Sequence, residues 1–309
     1  MIDLRKTNTF DASGSPKKLA ALILLGGWVR PKQLSRIGGR SLLDLPVDAE
    51  RSLLAHWLTE AGLLCRAWNA DALHVRILLD QTSPKPTLPV VPQHITLALE
   101  HDPSEFRGTA GVLHDACAEY NDDDYVLVTN AAQVLFWPLS ELVKCLNSLD
   151  AGVAMVAHGD GTPVTLMLMR CGCLRDLPSV GYCDMKEQAL PLIRKRYEIK
   201  VATFSHLVCQ GIRTRESYVE ALRTLHGRAA TDPLVENWRS DFQICETGAT
   251  VGRGARLHNS VVLSGAVIGR DAVLVRSVAF PGAVVPAGSL LVDKLISADG
   301  ILSSEEVTA

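Results

Sequence analysis

Leu22-Ile23-Leu24-Leu25-Gly26-Gly27-Trp28-Val29-Arg30 runs from four aliphatic residues through a diglycine to a cation. Counted from Leu19 the apolar run is seven residues long, the length of one fully buried strand. A buried strand that ends in glycine lets backbone N–H groups approach an anion closely, and an arginine just beyond can neutralise it. The stretch therefore predicts the first strand of a sheet covered on both faces, with a phosphate-binding turn at its C-terminal end.

Outward from this strand, residues 1–18 are polar, with Ser, Gly, Pro and Lys, and read as a flexible leader. From Leu19 onward short apolar runs alternate with amphipathic segments. Strands are expected at 20–25, 74–79, 94–99, 125–129, 152–157, 164–169 and 200–204, and helices at 49–64, 110–119, 139–149, 186–196 and 215–225. This alternation predicts an α/β domain over residues 19–240, built on a Rossmann-like, mostly parallel sheet. Ligands on such sheets sit beyond the C-terminal strand ends, where Gly26 and Gly27 fall.

The pattern changes at residue 241. Val251-Gly-Arg-Gly-Ala-Arg-Leu257, Val267-Ile-Gly-Arg-Asp-Ala-Val-Leu274 and Val284-Val-Pro-Ala-Gly-Ser-Leu290 return an aliphatic residue about every six positions. That is a hexapeptide repeat, in which three short parallel strands make one triangular coil, and it is assigned to residues 241–297. A polar tail over 298–309 closes the chain.

With 47% apolar and 21% charged residues, the 309-residue chain can bury one large core or two modest ones. A formal charge of −3 gives no general attraction to nucleic acid or to an anionic membrane, so an anionic ligand must be met by a local basic cluster. No apolar run reaches the 18 residues of a membrane-spanning helix, and no small-residue cleavage site follows Leu19–Leu25. The eight cysteines form no CxxC pair and read as buried, reduced thiols of a cytoplasmic protein. Cys171 and Cys173, two apart, would share a face if they lay on a strand.

Five segments, in order, resemble the sugar-1-phosphate nucleotidyltransferases, especially the mannose-1-phosphate guanylyltransferase type. They are Leu22–Arg30, Gly39-Arg-Ser-Leu-Leu-Asp-Leu-Pro-Val47, Phe106-Arg-Gly-Thr-Ala-Gly-Val-Leu113, Asp184-Met-Lys-Glu-Gln-Ala-Leu-Pro191, and Gly211-Ile-Arg-Thr-Arg-Glu-Ser-Tyr218 with the hexad tail behind it. The resemblance implies a GT-A-like nucleotidyltransferase domain followed by a short left-handed β-helix. It also implies joining of a sugar 1-phosphate to the α-phosphate of a nucleoside triphosphate, with release of pyrophosphate. Gly26, Gly27, Arg30, Gly108, Thr109, Ala110 and Gly111 would contact the nucleotide, and Arg36, Arg40, Lys186 and Glu187 the phosphate and sugar. Arg30, Lys32, Arg36 and Arg40 equally describe a solvated basic loop, and Lys186 and Glu187 the first turn of an ordinary helix. Trp28 fits a base-stacking residue and a core cap alike.

The family's metal chemistry does not carry over. Two aspartates usually hold Mg²⁺; here Ala131-Ala132 follows the central strand where one is expected, and Gly211 stands at the other. Val29 replaces the second loop glycine and adds a Cβ where backbone must hug phosphate. Asn130 offers an uncharged oxygen and Asp160 lies in a glycine turn; these are the candidate substitutes, while Asp122, Asp123 and Asp124 precede the strand, at its far end. No metal ligand and no catalytic residue is assigned.

Three readings follow. In the first, the chain binds a nucleotide or nucleotide sugar, transfers poorly or not at all, and serves as a regulatory or structural subunit, pairing with a copy of itself or a related subunit through the β-helix. In the second it is an active, Mg²⁺-dependent nucleotidyltransferase with a rearranged metal site. In the third it is a hexapeptide-repeat acyltransferase with His258 as general base.

Overall fold

The computed structural model describes residues 18–26, 34, 39–102, 107–227 and 240–303. The aliphatic run forms β1 (Leu19–Leu25), followed by α1 (Leu53–Ala67), β2 (Leu73–Leu79), β3 (Ile95–His101), α2 (Gly108–Ala116), β4 (Tyr125–Asn130) and β5 (Gln133–Leu135). Then come α3 (Leu139–Ser148), β6 (Val153–His158), β7 (Pro163–Arg170), α4 (Leu190–Ile193), β8 (Ile199–Phe204), β9 (Cys209–Gly211) and α5 (Arg215–His226). Seven strands make one sheet in the order β3-β2-β1-β4-β7-β6-β8. All run one way except β7, which is antiparallel to both neighbours.

β1 sits inside this sheet, parallel to β2 and β4, and its two side-chain faces enter two cores. Leu22 and Leu24 pack with Trp57 of α1, Leu142 of α3 and Leu222 of α5; Ala21, Ile23 and Leu25 pack with Leu113 of α2 and with Met185 and Ile193. Each such fully buried aliphatic side chain contributes about 1.5–3 kcal/mol, which explains why β1 reads as a continuous apolar run.

Two connections interrupt the alternation of strand and helix. The parallel step from β2 to β3 crosses without a helix, because Pro84, Pro86, Pro89 and Pro92 remove the amide donors a helix needs. The strap is pinned where the Thr87 amide donates to Asp44 Oδ1 at 2.7 Å. The segment expected as one helix over 186–196 divides into a π-helical turn, Met185–Ala189, and α4; Pro191 lacks the N–H that would continue α-helical bonding. Cys171 and Cys173 lie in a 3-10 turn after β7, Cys171–Leu174, rather than on a strand.

Beyond residue 240 lie β10 (Gln243–Cys245), β11 (Thr250–Val251), β12 (Arg256–His258), β13 (Ser260–Val262), β14 (Val267–Ile268), β15 (Val273–Val275), β16 (Val278–Ala279), β17 (Val284–Val285), β18 (Leu290–Val292), β19 (Lys294–Ser297) and β20 (Gly300–Ser303). They form three parallel sheets, β10-β13-β16-β19, β11-β14-β17 and β12-β15-β18, so the chain winds as a three-sided coil. Each strand pairs with the one 17 positions on, as Ile244 with Val261, Val261 with Val278 and Val278 with Leu295. One corner carries Asn259, Arg276 and Asp293, all in the left-handed region, at φ 47°, 45° and 58°. β20 turns back antiparallel on β19, inside the stretch read as a polar tail.

The first of these sheets is buried on both sides. Ile244, Val261, Val278 and Leu295 join the core of the α/β domain, while Val262, Ala279 and Ile296 fill the coil with Leu257, Leu274 and Val285. One hydrophobic core therefore runs from β1 into the coil.

Candidate functional site

At the C-terminal end of the sheet, Leu25 of β1 lies opposite Leu78 of β2 and Asn130 of β4. Gly26 continues the ladder by donating its amide to the Leu78 carbonyl at 2.8 Å, and Ala131 donates to Leu25 at 3.0 Å. A Cβ at Gly26 would meet Leu79 at 2.9 Å, Ile77 at 3.1 Å and Leu43 at 3.4 Å, so any side chain there would press on the ends of three core side chains. Gly27, Trp28, Val29, Arg30, Lys32 and Arg36 lie outside the described residues.

The two positions expected to carry metal-binding aspartates do meet. β5 and β9 form an antiparallel ribbon in which Gln133 faces Gly211, and the Ile212 amide donates to the Ala132 carbonyl at 3.0 Å. Around Gly211 there is room: the nearest atom to a Cβ there is the Ala132 oxygen at 4.0 Å. Ala131 and Ala132 are buried, and the indole N–H of Trp57 holds the Ala131 carbonyl at 3.0 Å. Neither candidate substitute completes a cation site. Asn130 Oδ1 already accepts the Ala132 amide at 2.8 Å, and Asp160 accepts the Thr162 amide at 2.8 Å within its own exposed turn. That backbone bond holds the Asp160 carboxyl below its ordinary value. Among the described residues no three His, Cys, Asp or Glu side chains cluster as a metal site. Among the described residues the donor set does not fit the Mg²⁺ that the sequence resemblance implies.

Beneath this pair lies a buried polar chain that sequence reading missed. The Gln133 side-chain amide donates to Thr129 Oγ1 at 2.6 Å, and the Cys209 thiol donates to Gln133 Oε1 at 3.3 Å. It ties β4, β5 and β9 together; Cys209 comes from 76 positions beyond Gln133, so the chain leaves no local signal.

The Gly108–Gly111 turn opens α2 on the face of the sheet that carries Ile23 and Leu25. Gly108 has φ +67°, and a Cβ there would stand 2.5 Å from the Cys183 carbonyl oxygen, which accepts the Ala110 amide at 3.0 Å. Beside Gly111 a Cβ would meet the Arg107 side chain at 3.1 Å. Arg107 is buried, bidentate to Asp115 at 2.9 and 2.8 Å, and donates to the Gly181 carbonyl at 3.0 Å. The protein's own atoms thus fill the space left by both glycines. Thr109 and Ala110 are buried in the same turn. Lys186 and Glu187 are exposed in the π-helical turn packed against α2, with Asp184 Oδ1 accepting both their amides at 2.8 and 2.9 Å. The structure therefore brings the Gly108 turn and the Lys186-Glu187 turn onto one face of the sheet.

Arg40 is placed differently. Its guanidinium is bidentate to Glu246 of β10's exit, at 2.9 and 3.1 Å, and donates to the Asp44 carbonyl at 2.9 Å. Burial pushes the neighbouring Asp44 carboxyl above its ordinary value. Of the acidic run, Asp122 and Asp123 pair with Arg175 and Arg170 at the far end of β4, and Asp124 is buried, receiving Lys18 Nζ at 3.2 Å. His258 lies half-buried on β12. A cleft of about 400 Å³ opens between α5 and the coil corner, but Arg215, Arg223 and Arg276 there face Glu216, Glu220 and Asp293, leaving no net charge for an anion.

No family model matches the chain, and no curated protein matches it either. Among solved structures it is similar to HddC from Yersinia pseudotuberculosis, at 14% identity over 66% of this chain and 99% of that one, with a TM-score of 0.48. It is also similar to a putative glucose-1-phosphate thymidylyltransferase from Bacillus anthracis, solved in complex with a sucrose, at 11% identity over 68% of this chain and 96% of that one, with a TM-score of 0.49.

Proposed function

We propose that the chain binds a nucleotide or nucleotide sugar at the C-terminal edge of β1 and β4, and that it transfers nucleotidyl groups poorly or not at all. The observation that carries this reading is the meeting of Ala132 and Gly211 through the 3.0 Å Ile212 amide bond, with no carboxylate on either. Nucleotidyl transfer gathers several negative charges at one phosphorus, and without a held cation the transition state is left unstabilised. Binding asks less: the Gly26 and Ala110 amides are already taken by Leu78 and Cys183, so it falls to exposed cations such as Lys186, on the α2 face of the sheet, to hold a diphosphate and its sugar. We further read the coil as a left-handed β-helix of hexapeptide type that links this subunit to a copy of itself or to a related chain, in the cytoplasm.

Thermal unfolding with GDP-mannose and a UDP-sugar tests the reading. A nucleotide sugar at saturating concentration is expected to raise Tm, and Lys186→Ala is expected to reduce the rise without lowering the unliganded Tm. No shift with any nucleotide sugar would overturn the reading.

A further inference from the structure

The segment that follows the candidate loop is held by the coil. Leu43 lies 3.4 Å from the place of a Gly26 Cβ, and Arg40, three residues earlier, has its Cα within about 11 Å of Leu43. Tyr218 of α5 donates to the Pro46 carbonyl at 2.5 Å, and Val47 lies in the main core, so the segment cannot shift as a whole. Its leading end is Gly39-Arg40, where Gly39 takes φ +59° and, among the described residues, nothing lies within 4 Å of a Cβ.

Glu246 is the fixed partner. Its amide donates to the Val262 carbonyl at 2.9 Å, its own carbonyl accepts the Ala249 amide at 3.0 Å, and its carboxylate accepts the Ser264 amide at 2.8 Å. Arg40, 206 positions away, places both terminal nitrogens on that carboxylate. Arg40, Glu246 and the Asp44 carboxylate together carry one net negative charge when ionised. An anion approaching the Gly26 edge therefore meets a neutralised cation and an acidic surplus.

We propose that Glu246 is an inhibitory latch: it withholds Arg40 from the phosphate groups of a nucleotide diphosphate at the Gly26 edge, and release of the guanidinium from the coil is coupled to diphosphate binding. This rests on the nucleotide reading above. The coupling is reciprocal, so a diphosphate that engages Arg40 loosens the first turn of the coil by the same factor that breaking the latch tightens the diphosphate. The coil thereby acquires a part in ligand affinity as well as in packing.

Calorimetric titration of the full chain with GDP and with inorganic pyrophosphate tests the latch. Glu246→Gln keeps an acceptor for the Ser264 amide and removes the charge. It is expected to bind both probes about tenfold more tightly than wild type. The double variant Arg40→Gln/Glu246→Gln is expected to bind no more tightly than Arg40→Gln alone. A gain that survives without Arg40 would reduce the effect to general charge removal and overturn the latch, as would unchanged or weaker binding in Glu246→Gln. If wild type and Glu246→Gln both ignore GDP and pyrophosphate at millimolar concentration, the nucleotide reading itself fails and the latch with it; binding by wild type separates the two failures. Equal Tm for wild type and Glu246→Gln would show that the variant is folded as wild type is, so that its affinities report the latch.

Discussion

Ala132 and Gly211 stand side by side where β4 gives way to the β5–β9 ribbon: the Ile212 amide donates to the Ala132 carbonyl at 3.0 Å, and the space a Gly211 side chain would enter is open. The two positions at which the sequence resemblance implies cation-holding carboxylates are thus backbone neighbours, and neither carries one.

Carboxylates placed at both positions should create cation binding. Gly211→Asp alone is expected to cost no more than about 1 kcal/mol, because its strand position is exposed and uncrowded. Ala132→Asp/Gly211→Asp is expected to bind Mn²⁺ at least about tenfold more tightly than wild type, since paired carboxylates suit hard cations. Calorimetric titration with Mn²⁺ reads this, and equal affinity for wild type and double variant would show that the two side chains do not converge.

Gly108→Ala should act on folding before it acts on any ligand. Its Cβ would lie 2.5 Å from the Cys183 oxygen, in a left-handed conformation. The expected loss is about 2–4 kcal/mol in urea unfolding. A fully stable variant would mean that the α2 turn can part from Cys183 without penalty.

Asp293 anchors the corner of the coil that it shares with Asn259 and Arg276, accepting from Arg276 at 2.9 and 2.7 Å and from Arg215 at 2.9 Å. Hydrogen bonding from Arg276, with the Arg215 charge beside it, holds this carboxyl below its ordinary value. A depressed folded value contributes stability that is present above the unfolded value of about 3.9 and is lost as pH falls through the folded one. Asp293→Asn is expected to cost about 1–2 kcal/mol at pH 7, discounted because the carboxylate is partly solvated. The gap between wild type and variant should begin to narrow below about pH 4 and close as pH falls through the depressed native value; a gap that does not change with pH over that descent would assign the effect to packing.

Burial pushes the thiols of Cys173 and Cys209 up to about 12. At pH 8 the native protein should therefore leave both unmodified by a disulfide reagent, while the denatured chain reacts at all eight cysteines. Rapid labelling of Cys209 in the native state, read by mass spectrometry, would show that the Thr129–Gln133–Cys209 chain opens readily.

Much of the fold is legible because burial on both faces leaves uninterrupted apolar runs: β1, β2, β4 and β7 start at Leu19, Leu73, Tyr125 and Pro163, each within one residue of the expected starts at 20, 74, 125 and 164. The reversed direction of β7 was not read, although the turn at Gly159-Asp160-Gly161 supplies a tight reversal from β6. The helix-free crossover was announced by its four prolines, which say what the strap is not and leave its anchor, Asp44, unnamed. The site was legible only through resemblance. Nothing local in sequence brings Ala132 to Gly211 or Arg40 to Glu246, since both meetings are made by the folding of distant segments onto one core. The same holds for Gly108, whose glycine answers to Cys183.

Pyrophosphate release tests the central claim most directly. Purified protein with Mg²⁺, each nucleoside triphosphate and a set of sugar 1-phosphates is expected to release no pyrophosphate above the protein-free rate, since Ala132 and Gly211 hold no cation. Sustained turnover with any pair would contradict the account and place a working metal site elsewhere on the chain.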